Sequence, residues 1–151
     1  MRFRSSFLTI AAAAFVLAAT TIATPTRALA QAPPRTVDID DSQAGGMLSV
    51  FAGDTVRVQL RATPSTGYSW QVVQVNKSVL VQKGKPTFKP GPEEIPGAEG
   101  HSIIDFLAAA PGSCVLELAY SRPWEKGSVP ARTFSADITV RPASERPMPQ
   151  F

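Results

Sequence analysis

The chain has one cysteine, Cys114, and one histidine, His101, in 151 residues. A lone cysteine excludes an internal disulfide, so the fold must hold without a covalent staple. One histidine, one cysteine and scattered carboxylates do not make a zinc ligand set. A Cys–His nucleophile pair needs an ionisable thiol. Cys114, however, shares the apolar face of an alternating stretch with Leu116 and Leu118, where a thiol behaves as a small hydrophobe. His101 stands at a strand start and reads as structural or surface. No Gly-x-Ser-x-Gly elbow is present, and no glycine-rich phosphate loop ends in Gly-Lys-Ser/Thr. Glu93 and Glu94 are adjacent in a proline-rich stretch, which suits a solvated face better than an acid–base pair. These absences argue against an enzyme and against a resident metal or cofactor.

Basic character is also scarce once the first residues are set aside. Met1-Arg2-Phe3-Arg4 is a short basic start, Phe7 to Ala19 is an apolar run, and Ala28-Leu29-Ala30 offers small residues to a signal peptidase. This is the anatomy of a secretory signal peptide, and the apolar run is shorter than the ~20 residues a membrane span needs. Residues 1–30 are expected to be removed after Ala30, leaving an exported protein, periplasmic or secreted, with no stable membrane insertion. Arg2, Arg4 and Arg27 would leave with the signal and no acid would, so the formal net charge falls from +3 to zero. Nothing in the charge then points to nucleic acid.

What is there is alternation. Val56, Val58 and Leu60 share one face of a stretch whose other face is polar. Cys114, Leu116, Leu118 and Tyr120 repeat this with Glu117 outward, and Phe134, Ala136, Ile138 and Val140 repeat it with Asp137 outward. Ile104 and Phe106 flank Asp105 in a fourth such strand. A period of two marks half-buried strands. Weaker strands are expected at Thr36 to Asp40, Tyr68 to Val75 and Val79 to Gln82. Ala52-Gly53-Asp54, Pro111-Gly112 and Lys126-Gly127 are turn signals, and no segment after the signal keeps a helical period for three turns. Seven or eight short strands separated by such turns predict an all-β, immunoglobulin-like sandwich, with a small barrel as the alternative. The expected organisation is a leader and first strand at 31–40, the sandwich at 41–142, and a flexible, proline-containing tail at 143–151.

Three loop-like stretches are chemically unusual. In the first, Pro64 fixes a backbone angle, Gly67 permits a positive one, Ser65 and Thr66 are small hydroxyl residues, and Tyr68 and Trp70 resume the alternation. By itself it reads as a tight turn. The second, Lys83 to Gly100, is long for a connector, and loops of that length are usually functional or disordered. Its four prolines restrain it, and Gly97-Ala98-Glu99-Gly100 closes it. The third sets Pro123 between Arg122 and Trp124, two residue types enriched in interface hot spots. Its tryptophan suits packing on its own domain and presentation to a partner equally.

In this order, Thr63-Pro64-Ser65-Thr66-Gly67-Tyr68, Gly97-Ala98-Glu99-Gly100 and Arg122-Pro123-Trp124 resemble the loops of the chagasin family of cysteine peptidase inhibitors. Those loops read Asn-Pro-Thr-Thr-Gly-Tyr/Phe, a glycine-rich segment, and Arg-Pro-Trp. Thr63 replaces the usual asparagine, Ser65 the usual threonine, and the middle segment is poorer in glycine. The resemblance spans roughly Asp40 to Val140. It implies an immunoglobulin-like sandwich with these loops at one end, monomeric when free, and a papain-like cysteine peptidase as partner. It also implies that Pro64 to Gly67 enters the peptidase cleft with Ser65 and Thr66 near the catalytic pair. Trp124 and Arg122 would lie on one wall and Gly97 to Gly100 on the other, giving mainly backbone contacts. A non-inhibitory binding or adhesion module on the same sandwich is the competing expectation, since fold alone does not set function.

Overall fold

A computed structural model of the protein describes residues 32–92, 95 and 97–148. The expected signal segment, Glu93, Glu94 and residues 149–151 lie outside the described residues.

Eight strands follow in order: β1 (Thr36–Asp40), β2 (Met47–Phe51), β3 (Thr55–Ala62), β4 (Ser69–Gln74), β5 (Leu80–Pro90), β6 (Gly100–Ala108), β7 (Gly112–Ser121) and β8 (Arg132–Arg141). They form two separate four-stranded sheets, β1-β3-β6-β5 and β2-β8-β7-β4. This is an immunoglobulin-like β-sandwich and not a closed barrel. The four strongly alternating stretches become β3, β6, β7 and β8. Their apolar faces meet between the sheets, where Val56, Val58, Leu60, Phe106, Leu116 and Leu118 are inaccessible to solvent. Burying each such side chain is worth about 1.5–3 kcal/mol, which makes this seam the main source of stability.

The structure corrects three expectations. Lys83 to Pro90 is not loop: β5 continues to Pro90 and pairs with β6 through a register shift between Lys83 and Thr87. β5 is an edge strand, exposed over almost its whole length, so no burial selects an alternating pattern. Its lysines and prolines are the residues that protect a sheet edge. The true connection is residues 91–99. Second, β2 carried no strand expectation, yet it pairs in parallel with β8, Leu48 opposite Ile138 and Val50 opposite Val140.

Third, the tail is not loose at its start. Ala143–Glu145 forms a short 3₁₀ turn, and Arg146 is only 8% exposed. One Arg146 Nη donates to the Asp54 carboxylate, and the other donates to the carbonyls of Ala32 and Pro33. Asp54 also accepts from the backbone N–H of Arg35 (2.8 Å) and of Phe51 (3.0 Å). Both ends of the domain are thereby tied to one buried carboxylate at the start of β3. The eight residues of β3 place that knot roughly 25 Å from the strand's other end.

Candidate functional site

β3 ends at Ala62, β6 begins at Gly100 and β7 ends at Ser121. Antiparallel pairing of β3 with β6 brings Ala62 opposite Gly100, so the loops that leave these strand ends emerge at one pole. It is the pole away from Asp54.

The first loop is a single 3₁₀ turn, Pro64–Thr66, closed by Gly67 in the left-handed region at φ 79°. Proline suits the start of such a turn because no partner waits for its missing N–H. The backbone N–H groups of Thr66 and Gly67 donate to the carbonyls of Thr63 (3.1 Å) and Pro64 (2.9 Å). The Thr66 hydroxyl donates to the Thr63 carbonyl as well (2.6 Å). The N–H of Thr63 donates to Tyr120 Oη at 2.8 Å, which fastens the loop's first residue to the opposite sheet. Tyr68, half-buried, stacks on Tyr120 with ring centroids 5.4 Å apart, and Trp70 lies buried 5.1 Å from the same ring. Tyr68 and Trp70, which resume the alternation in the sequence, thus anchor the end of the loop on the core.

The third loop leans on the first. Arg122 donates from Nε to the Thr66 carbonyl (3.3 Å) and from Nη1 to Glu125 (3.0 Å), with its guanidinium 4.7 Å above the Tyr68 ring. The bond to Glu125, and then the phenol beside it, raise the Arg122 pKa beyond its ordinary value. The Pro123 turn is closed by the Glu125 N–H donating to the Arg122 carbonyl (3.1 Å). Trp124 is 67% exposed, yet the outer edge of its indole rests against Gly67. The side chain is presented to solvent with one edge braced.

The middle loop is joined to the first by one side chain. Ser65 Oγ donates to the Gly97 carbonyl at 3.3 Å, and Gly97 holds φ 84°. Ala98 and Glu99 follow in the open loop. Gly100 does not belong with them: it is buried within β6, where a Cβ would collide with the Lys89 carbonyl and the Phe88 ring. Its glycine answers a packing need. The sequence reading also passed over Ile95, which is 63% exposed and whose carbonyl accepts from the Ala98 N–H (3.0 Å). The available signal was an isoleucine alone among Glu, Pro and Gly, too short a pattern for any periodicity to register. Thr63, Pro64, Ser65, Thr66, Gly67, Gly97, Arg122 and Trp124 thus form one connected ridge, with Tyr68 beneath it.

The residues weighed for catalysis are elsewhere and apart. Cys114 is buried on β7, its sulfur accepting from the Asn76 N–H (3.1 Å). His101 is exposed on β6, in the sheet that does not hold Cys114, paired with Arg61 of β3 on one side and Lys89 of β5 on the other. No group of three or more His, Cys, Asp or Glu residues among the described residues is arranged to hold a metal. No helix among them is long and apolar enough to cross a membrane.

Comparison with known proteins gives this ridge its context. The chain is 30% identical over 94 residues to amoebiasin-2 of Entamoeba histolytica, covering 62% of this chain and 76% of the relative. It is 28% identical over 96 residues to chagasin of Trypanosoma cruzi, covering 60% and 86%. The crystal structure of a cysteine protease inhibitor from Entamoeba histolytica superposes with a TM-score of 0.61 at 26% identity, over 71% of this chain and 96% of that one. Residues 49–138, from β2 through most of β8, match the description "Chagasin family peptidase inhibitor". With the sandwich and the three converging loops in place, the chain belongs to the chagasin family, a family of peptidase inhibitors and not of enzymes.

Proposed function

We propose that the protein is a reversible, competitive inhibitor of papain-like cysteine peptidases that fills the active-site cleft with the Ser65–Gly97–Trp124 ridge. One observation carries this reading. Three segments distant in sequence are fastened to one another, Ser65 to Gly97 by a hydrogen bond and Trp124 to Gly67 by contact, before any partner arrives. A preformed wedge loses little conformational freedom on binding.

The turn also bears on whether a captured peptidase can cut it. A peptidase attacks a carbonyl held in near-attack geometry on an accessible backbone. Here the carbonyls of Thr63, Pro64 and Thr66 are each engaged by a donor of the inhibitor itself. The Ser65 and Thr66 side of the turn would approach the catalytic cysteine and histidine with these flanking carbonyls already held by the inhibitor's own donors. Trp124, with Pro123 and Arg122 behind it, would cover one wall of the cleft, and Gly97, Ala98 and Glu99 the other. Such a wedge should bury a standard interface of about 1,600 Å² in total.

Export of the protein by the signal-like segment 1–30 belongs to the same proposal. Its support is the basic start, the apolar run and the small residues before Gln31. N-terminal sequencing of the exported protein should begin at Gln31.

The decisive experiment titrates papain with the purified protein and follows a fluorogenic substrate. Saturable loss of activity that excess substrate reverses supports the reading. No loss at micromolar inhibitor would overturn it and favour a binding module without inhibitory action.

A further inference from the structure

The ridge stands on the end of β3, where Arg61 and, just past the strand, Thr63 are gripped from the opposite sheet at three points. The Arg61 carbonyl accepts from Trp70 Nε1 (3.0 Å) and from Arg132 Nη2 (3.1 Å). Two residues on, the N–H of Thr63 donates to Tyr120 Oη. Arg132 reaches the Arg61 carbonyl by lying across the aromatic pair, with its guanidinium 4.6 Å above Tyr120 and 5.8 Å from the Trp70 ring. Tyr68 stacks nearby on Tyr120, and Arg122 covers Tyr68. The result is a column, Arg122–Tyr68–Tyr120–Arg132, capped by a guanidinium at each end. Its upper cap is part of the ridge. Its lower cap, at the first residue of β8, lies outside the three loops that carry the family resemblance.

We infer that Arg132 is a positioning residue for the inhibitory turn, holding the Arg61 carbonyl and the Tyr120 ring and, through Tyr120, the first residue of the loop. This rests on the reading of the ridge as the inhibitory element. Arg132 is suited to the task because a planar guanidinium can stack on a ring face and donate in its own plane at once. A lysine there would keep the charge but not both contacts. Of the turn's other bonds, those within Thr63–Gly67 fix its shape, and the two that leave it, from Ser65 to the Gly97 carbonyl and from Arg122 to the Thr66 carbonyl, tie it to the neighbouring loops rather than to the strands beneath. Direction comes from the three-point grip on Arg61 and Thr63, and Arg132 is its one charged member.

The test compares the full chain with Arg132→Met and Arg132→Lys by amide hydrogen exchange, thermal melting and papain inhibition kinetics. Arg132→Met should speed exchange across residues 61–68 by about thirtyfold, the low end of what losing the cation–π contacts and one charged hydrogen bond implies. Exchange in β6 and β7 should stay unchanged. The association rate with papain should fall in proportion to the misdirected fraction that the substitution populates, because only the correctly directed fraction binds. Arg132→Lys should recover part of both effects. Uniformly faster exchange with a matching drop in melting temperature would overturn the inference, since Arg132 would then be a general stabiliser. Unchanged exchange at 61–68 would overturn it too, and would leave the inhibitor reading untouched if the wild type still inhibits. A wild type that fails to inhibit, with exchange still confined to 61–68 in Arg132→Met, would sink the inhibitor reading and uphold the positioning role.

Discussion

Trp124 packs so closely over Gly67 that a Cβ on the glycine would lie 2.5 Å from the indole's Cη2. The same glycine holds φ 79°, which costs an L-residue with a side chain about 1–2 kcal/mol. Gly67→Ala should therefore displace the indole and strain the turn together. The expected outcome is inhibition weakened by at least about tenfold, with only a modest fall in melting temperature, because no core side chain is touched. Inhibition constants and melting curves for the same preparation decide it.

Trp124→Ala tests the ridge from the other side. The side chain is mostly exposed, so its removal should leave the fold's stability within about 0.5 kcal/mol. Binding to papain should weaken by at least about 2 kcal/mol, as truncation of an aromatic anchor does. Unaltered inhibition by this variant would count heavily against the wedge.

Arg146→Met addresses the far pole. It leaves the Asp54 carboxylate buried without its cation, and breaking a buried pair costs about 3–5 kcal/mol. Urea unfolding should show that loss. The fraction that remains folded should inhibit as the wild type does, since the altered residue is a strand's length from the ridge.

Asp105 predicts a pH dependence. A two-armed hydrogen bond from Arg57 holds its carboxyl below the ordinary value of 3.8. A carboxylate with a depressed folded-state pKa stabilises the protein above its unfolded pKa, and that contribution disappears as the pH falls through the folded value. Asp105→Asn should thus be less stable than the wild type at neutral pH, and the gap should close in acid. Thermal melts of both proteins across pH 7 to 3 would show whether it does.

How much of this was readable beforehand depends on whether burial leaves a pattern. β3, β6, β7 and β8 lie inside the sheets with one face sealed, so every second residue is constrained to be apolar, and their inward sets were plain. β5 is an edge exposed along its length, so Lys83 to Pro90 passed for a loop. β2 is short and edge-placed, with Met47 exposed and Ser49 between Leu48 and Val50, which blurs its period. In the site, Pro64, Gly67, Arg122 and Trp124 could be named because backbone geometry and residue type single them out. The Ser65–Gly97 bond, the Asp54–Arg146 pair and the Arg132 grip could not. Each joins residues between 32 and 92 positions apart, and no local spacing announces such a meeting. Gly100 misled for a related reason: glycine serves close packing as readily as it serves an open loop.

The knot on Asp54 draws the leader and the start of the tail to the base of the molecule, leaving its working tip clear of both. Cargo attached ahead of Ala32 or beyond Met148 would hang on the side turned away from a captured peptidase. A bead, a fluorophore or a second copy could be carried there without shading the wedge, and two copies joined base to base would face outward, each free to occupy an enzyme of its own.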